Sequence, residues 1–241
     1  MTAKADVQSA NTVGFNTITV EAGKWYMIGT QFKGIGEASG EIAINDLVKL
    51  SNVPASTFSK RTTDAPQIQF WNGTTYAYYY YISDASSQTE PVWATGKTKA
   101  TAKFPLGKGF WFKAPPSVDT GATMTFAGEV MLDATSIDID IGTTEWVMIS
   151  NPFPTELTWD MITTSGVQPS TFSKRTTEAP QMQVWTGDTY KYYYYISDAS
   201  GQSEPVWASG KTKASGVAAA IGGAFWVKSS TAGKLTISLN K

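Results

Sequence analysis

The chain has 241 residues, enough for one large β domain or two of ordinary size, and its 19 basic and 20 acidic side chains nearly cancel. That balance removes the electrostatic case for a nucleic-acid partner. Only 16% of residues are charged beside 13% aromatics, a composition commoner in extracellular β proteins than in cytosolic enzymes. There is neither cysteine nor histidine, which excludes disulfides, thiolate metal sites, a cysteine nucleophile and every histidine-based acid–base scheme.

Residues 1–11 are polar and read as a flexible segment. They hold no apolar signal-peptide core, so the protein is either cytosolic or a mature form whose signal has been removed, and the small residues (Thr2, Ala3, Ala5, Ser9, Ala10) suit the second. No apolar run approaches the roughly 18 residues of a membrane span. From Thr17 the pattern becomes β: Thr17-Ile18-Thr19-Val20 alternates, Gly23 marks a turn, and Trp25-Tyr26-Met27-Ile28 is apolar on both faces, as in a central strand. The glycine-rich Lys33 to Glu41 reads as a mobile loop, and Asn45-Asp46-Leu47-Val48 as a short helical turn.

The stretch from Ser56 to Ala100 returns from Ser170 to Ala214. At a constant offset of 114, 36 of 45 positions are identical. The earlier strands return at an offset of 121, as Ser136 to Ile141 and Trp146-Val147-Met148-Ile149, with a helical turn at Trp159-Asp160-Met161-Ile162. An internal duplication follows, with a first β-sandwich over residues 12–130 and a second over 131–241. Short strands with turn signals about every ten residues, and no regular helix between them, indicate an all-β protein of two tandem antiparallel sandwiches, Ig-like or jelly-roll-like.

Differences between the copies act as a small mutational series. Gln67-Ile68-Gln69-Phe70-Trp71 becomes Gln181-Met182-Gln183-Val184-Trp185, so the positions that swap one apolar residue for another read as core, and the invariant Gln, Gln and Trp as an outward face. Gly73 and Gly187 close a hairpin into Tyr76 to Ile82 and Tyr190 to Ile196. Ala77 becomes Lys191, which marks that parity of the tyrosine strand as wet. Alternation then places Ala77, Tyr79 and Tyr81 outward, and Tyr76, Tyr78, Tyr80 and Ile82 in the core. Each copy ends on an expected hairpin of Gly109 to Lys113 with Met124 to Val130, and Ala224 to Lys228 with Leu235 to Leu239.

The series Trp25-Tyr26-Met27-Ile28, Gln69-Phe70-Trp71-Asn72-Gly73, Leu106-Gly107-Lys108-Gly109-Phe110-Trp111 and Thr125-Phe126-Ala127-Gly128-Glu129-Val130 resembles a β module of secreted bacterial proteins. Those modules tend to show a PG-x-GFF strand and a TFVGEV ending. The resemblance covers most of the first copy, and the second departs from it with Ala220-Ile221-Gly222-Gly223 before Phe225 and no GEV. It implies secretion and a β fold, and no activity.

The expected site is the repeated aromatic face: Gln67, Gln69, Trp71, Tyr79 and Tyr81, with Gln181, Gln183, Trp185, Tyr193 and Tyr195. Flat Trp and Tyr faces suit sugar rings, Gln amides suit hydroxyls, and the same set suits a protein partner or a second copy of the chain. A plainer reading packs these aromatics under a loop or against the other copy. The polar loops with Asp84 and Glu90, and with Asp198 and Glu204, offer oxygens for calcium but lack the spacing of a calcium loop. Lys60-Arg61 with Lys97 and Lys99, repeated as Lys174-Arg175 with Lys211 and Lys213, reads as solvated edge lysines rather than an anion strip. No carboxylate pair sits in a hydrolase motif. The expectation is a non-catalytic secreted or surface protein that self-assembles into a fibre or layer. The alternative is a bivalent carbohydrate-binding or adhesion module.

Overall fold

The computed structural model describes residues 12–37, 39–131, 136–143 and 145–239, so the polar segment 1–11 lies outside it. The chain is all-β, built from antiparallel sheets, with helix confined to short stretches, the longest being Phe58–Lys60 running into Arg61–Asp64. In the first half, Val13–Thr19, Thr123–Glu129 and Val48–Ser51 form, in that order, a narrow three-stranded sheet. A broad six-stranded sheet runs Trp25–Gly29, Gly109–Lys113, Gln67–Trp71, Tyr76–Ile82, Val92–Thr95, Thr98–Lys99. The second half has the same two orders. Ser136–Ile141, Gly233–Ser238 and Ile162–Ser165 form its narrow sheet. Val147–Ser150, Ala224–Lys228, Gln181–Trp185, Tyr190–Ile196, Val206–Ser209 and Thr212–Lys213 form its broad one.

Each pair of sheets closes on its own core. Ile44, Ile68, Phe104, Phe110, Phe112, Met124 and Phe126 fill the first; Phe153, Leu157, Met182, Phe225, Val227, Leu235 and Ile237 fill the second. Burial of each such side chain is worth about 1.5–3 kcal/mol, which holds a fold that has no disulfide. The expected helical turns stand at Ile44–Leu47 and Trp159–Met161. In the first, the Asn45 amide donates to the Ala100 carbonyl and accepts from the Trp93 N–H, both at 2.9 Å, which pins the turn to the broad sheet.

Three expectations need correction. Gly109–Lys113 and Thr123–Glu129 do not form a hairpin, because Gly109–Lys113 already has neighbours on both edges and the Pro115-Pro116 connection carries the chain to the opposite sheet. Ala224–Lys228 and Gly233–Ser238 separate in the same way. The Lys33–Glu41 loop is tethered: Lys33 and Glu129 exchange two backbone hydrogen bonds of 3.0 and 2.9 Å, and Lys103 pairs with Glu37 at 3.1 Å.

The central hairpin decides the geometry that follows. Its turn spans Asn72 to Thr75, with Gly73 at φ 104° and the Asn72 side-chain oxygen accepting the N–H groups of Thr74 and Thr75. Trp71 thereby pairs with Tyr76, Gln69 with Tyr78, and Gln67 with Tyr80.

Candidate functional site: the outer face of the broad sheets

Residues paired directly across antiparallel strands share a face, so the outer face carries Gln67, Gln69, Trp71, Tyr76, Tyr78 and Tyr80. Tyr79 and Tyr81 turn inward, against Phe104 and Trp93; Tyr193 and Tyr195 turn inward against Trp159 and Trp207. The expected grouping of Tyr79, Tyr81, Tyr193 and Tyr195 with the Gln and Trp residues is therefore overturned. Ala77 pairs with Phe70 on the inward side near the end of the strand, and Lys191 at the matching place is exposed. A lysine fits there because at the hairpin end of the strand its long side chain reaches solvent. Ala77 does not mark a wet face.

Across the sheet the outer rows read Met27, Trp111, Gln69, Tyr78 and Lys113, Gln67, Tyr80, Ala94. The second half reads Met148, Trp226, Gln183, Tyr192 and Lys228, Gln181, Tyr194, Ala208. Every residue is the same in both rows. The inward face meanwhile changes Ile68 to Met182, Phe70 to Val184 and Phe112 to Val227.

The two outer faces meet each other about a pseudo-twofold axis. Met27, Trp111, Met148, Ala224 and Trp226 form its buried centre, ringed by Trp25, Trp71, Tyr76, Trp146, Trp185 and Tyr190. The contacts are reciprocal. Trp71 Nε1–H donates to the Trp146 carbonyl at 2.8 Å, and Trp185 Nε1–H donates to the Trp25 carbonyl at 3.3 Å. Trp71 meets Trp226 edge-on at 6.1 Å, as Trp185 meets Trp111 at 5.4 Å. Backbone bonds cross as well, from Gly29 N–H to the Gly222 carbonyl and from Ser150 N–H to the Gly107 carbonyl. Burial here pushes the Tyr76 and Tyr190 phenols above their ordinary pKa.

Near the axis a residue meets its own counterpart, and two side chains cannot fill one space. Gly29 lies against Ser150, and Gly109 against Ala224. In both pairs the first half supplies the glycine.

The faces do not seal completely. A cleft of about 290 Å³ remains, lined by Trp71, Tyr76, Trp146, Trp226 and Gln183. A second, about 310 Å³, opens on the other side by Trp25, Met27 and Trp185, its rim crossed by the Lys24–Asp188 ion pair at 3.4 Å. The amides of Gln67 and Gln181 are engaged with the Tyr80 and Tyr194 hydroxyls at 3.3 Å. Those of Gln69 and Gln183 make no hydrogen bond among the described residues. Beside them stand Tyr78 and Tyr192, 44% and 46% exposed.

The residues considered for calcium do not converge. Asp84 accepts the Phe58 N–H at 2.6 Å and faces Lys97 at 3.9 Å; Asp198 repeats this with Phe172 and Lys211. Glu90 and Glu204 are exposed, and no cluster of three metal-ligating side chains exists among the described residues. Arg61 and Arg175 are likewise engaged, stacked on Phe58 and Phe172 at 3.9 and 3.8 Å.

Sequence reasoning missed Trp25, Trp111, Trp146, Trp226 and the outward Tyr76, Tyr78 and Tyr80. The signal was present: a four-residue turn that pairs Trp71 with Tyr76 puts both on one side. No family model, curated protein or solved structure matches the chain. No helix among the described residues is long and apolar enough to cross a membrane.

Proposed function

We propose that the protein is a non-catalytic saccharide-binding module whose two junction clefts engage a polysaccharide bivalently, in the secreted or cell-surface setting where such polymers are met. The observation that supports this is a free Gln amide beside an aromatic-walled cleft: Gln183 with Trp71, Tyr76, Trp146 and Trp226, and exposed Tyr192 alongside. Apolar ring faces suit the C–H faces of a pyranose, and an unengaged amide suits its hydroxyls. Titration with cello-, xylo-, manno- and maltohexaose, followed by tryptophan fluorescence and calorimetry, tests it. Gln69→Ala with Gln183→Ala should weaken binding about tenfold or more, the equivalent of one or two lost hydrogen bonds, without lowering stability. A wild-type protein that ignores every hexaose and its parent polymer refutes the reading.

One observation favours a second reading, self-assembly into a fibre or layer. The edge strand Val13–Thr19 presents Val13 and Phe15 outward, Phe15 at 78% exposure, whereas the matching strand of the second half has Ser136 at the place of Phe15 and then presents Asp138 and Asp140. The pseudo-twofold pairing uses up the aromatic faces, so growth of an assembly has to run through such edges. Light scattering across a concentration series tests this: growth abolished by Phe15→Lys supports assembly, and a constant 26.0 kDa species refutes it.

A further inference from the structure

In both halves a three-stranded sheet faces a six-stranded one, so the far strands of the broad sheet overhang. Under each overhang, beside the free edge of the narrow sheet, lies a cleft remote from the junction. The first, about 280 Å³, is lined by Asp46, Lys49, Tyr81, Pro91, Trp93 and Lys99, among others. The second, about 250 Å³, is lined at the matching places by Asp160, Thr163, Tyr195, Pro205, Trp207 and Lys213. Each floor is a tyrosine tilted against a tryptophan, with ring centroids 5.4 Å apart in the first and 5.5 Å in the second.

A second observation concerns hydrogen bonding. Five buried side-chain polar atoms have no partner among the described residues, two of them on Gln31. The other three are Trp93 Nε1, Trp207 Nε1 and Thr164 Oγ1, and all three residues line these clefts. Trp93 and Trp207 are only 1% and 5% exposed. An orphaned buried donor is costly, and the same indole is orphaned in both halves, next to a cavity each time.

We propose that each overhang cleft holds one sugar unit of a saccharide, an inference that rests on the saccharide reading above. The floor offers the half-buried rings of Tyr81 and Tyr195, the walls offer a carboxylate and an ammonium to hydroxyls, and a ligand oxygen supplies the acceptor that the indole N–H lacks. The cleft volume suits one compact unit. An extended peptide would instead pair with the free edges of Val48–Ser51 and Ile162–Ser165.

The indole N–H signals of the uniformly ¹⁵N-labelled full chain read the two pairs of sites separately. Trp93→Phe, Trp207→Phe, Trp71→Phe and Trp185→Phe each delete one signal and so assign it. On titration with the four hexaoses, the Trp93 and Trp207 signals should move saturably. Asp46→Asn with Asp160→Asn should raise the dissociation constant read from those signals about tenfold, the equivalent of one charge-assisted bond. Movement of Trp71 and Trp185 alone overturns this inference and leaves the proposed function standing. Movement of Trp93 and Trp207 alone supports it and removes the junction clefts from the reading. No movement anywhere overturns both. Indifference to sugar, with edge-strand amides shifted by an alternating Val-Thr hexapeptide, also overturns it and identifies a strand-pairing groove.

Discussion

The Gly29–Ser150 contact gives the sharpest test of the reciprocal junction. A Cβ at position 29 would fall on the Ser150 Cβ and stand 2.6 Å from the Lys108 carbonyl oxygen. That carbonyl is itself held by the Thr30 N–H at 3.1 Å, so it has little room to yield. Overpacking of this kind costs about 1–3 kcal/mol, and two rigid obstacles place Gly29→Ala toward the upper end. Ser150→Gly alone loses the hydrogen bond its hydroxyl donates to the Thr30 carbonyl at 3.2 Å, about 1 kcal/mol. In the double variant one of the two obstacles is gone. The two changes should therefore couple favourably by at least about 1 kcal/mol, as contacting residues do. Guanidinium unfolding of the four proteins, followed by tryptophan fluorescence, measures the cycle. A neutral Gly29→Ala, or two effects that simply add, would mean that the halves do not pack as described.

Other tests follow from single contacts. Trp71→Phe and Trp185→Phe each remove one indole-to-carbonyl bond at the junction and should each cost about 0.5–1.5 kcal/mol in the same unfolding assay. Asp84→Ala and Asp198→Ala, which free the Phe58 and Phe172 N–H groups, should each cost about 1 kcal/mol and match one another in thermal unfolding, since the two surroundings are the same. The phenols of Tyr26, Tyr76, Tyr79, Tyr81 and Tyr190 are raised by burial, so their contribution is intact below the ordinary phenol value of about 10 and is lost as pH climbs through the folded values. Lys108, lowered by burial, acts in the opposite sense but is a single group. Denaturant midpoints should thus fall steeply above about pH 10. Tyr76→Phe with Tyr190→Phe should flatten that fall, and an unchanged slope would place those phenols in water.

The all-β class, the recurring pattern and the outward Gln67, Gln69 and Trp71 were legible in the sequence because each rests on local information: alternation, turn residues and self-comparison. The parity of the tyrosine strand was not, because five of its seven residues are tyrosine and the pattern has no apolar–polar phase of its own. The reading leaned on Ala77 and Lys191, and an exposed lysine marks a strand's end as readily as its wet side. The destination of the outward face was legible only as one alternative, the plainer reading that packs its aromatics against the other copy. Trp111 and Trp226 look like ordinary core residues until the register with Gln69 and Gln183 shows which way they point. Their packing depends on how two separate sandwiches dock, and no local pattern encodes that.

A face that matches its own counterpart is how identical subunits make a dimer, yet here both partners travel on one chain. Pairing is therefore a first-order event, indifferent to dilution, and clefts built by both halves persist at any protein concentration. Covalent linkage also lets the partners differ at the axis. Gly29 beside Ser150 and Gly109 beside Ala224 form an ordered couple in which a free second half would clash with its own kind. The tandem arrangement thus carries its own mating specificity.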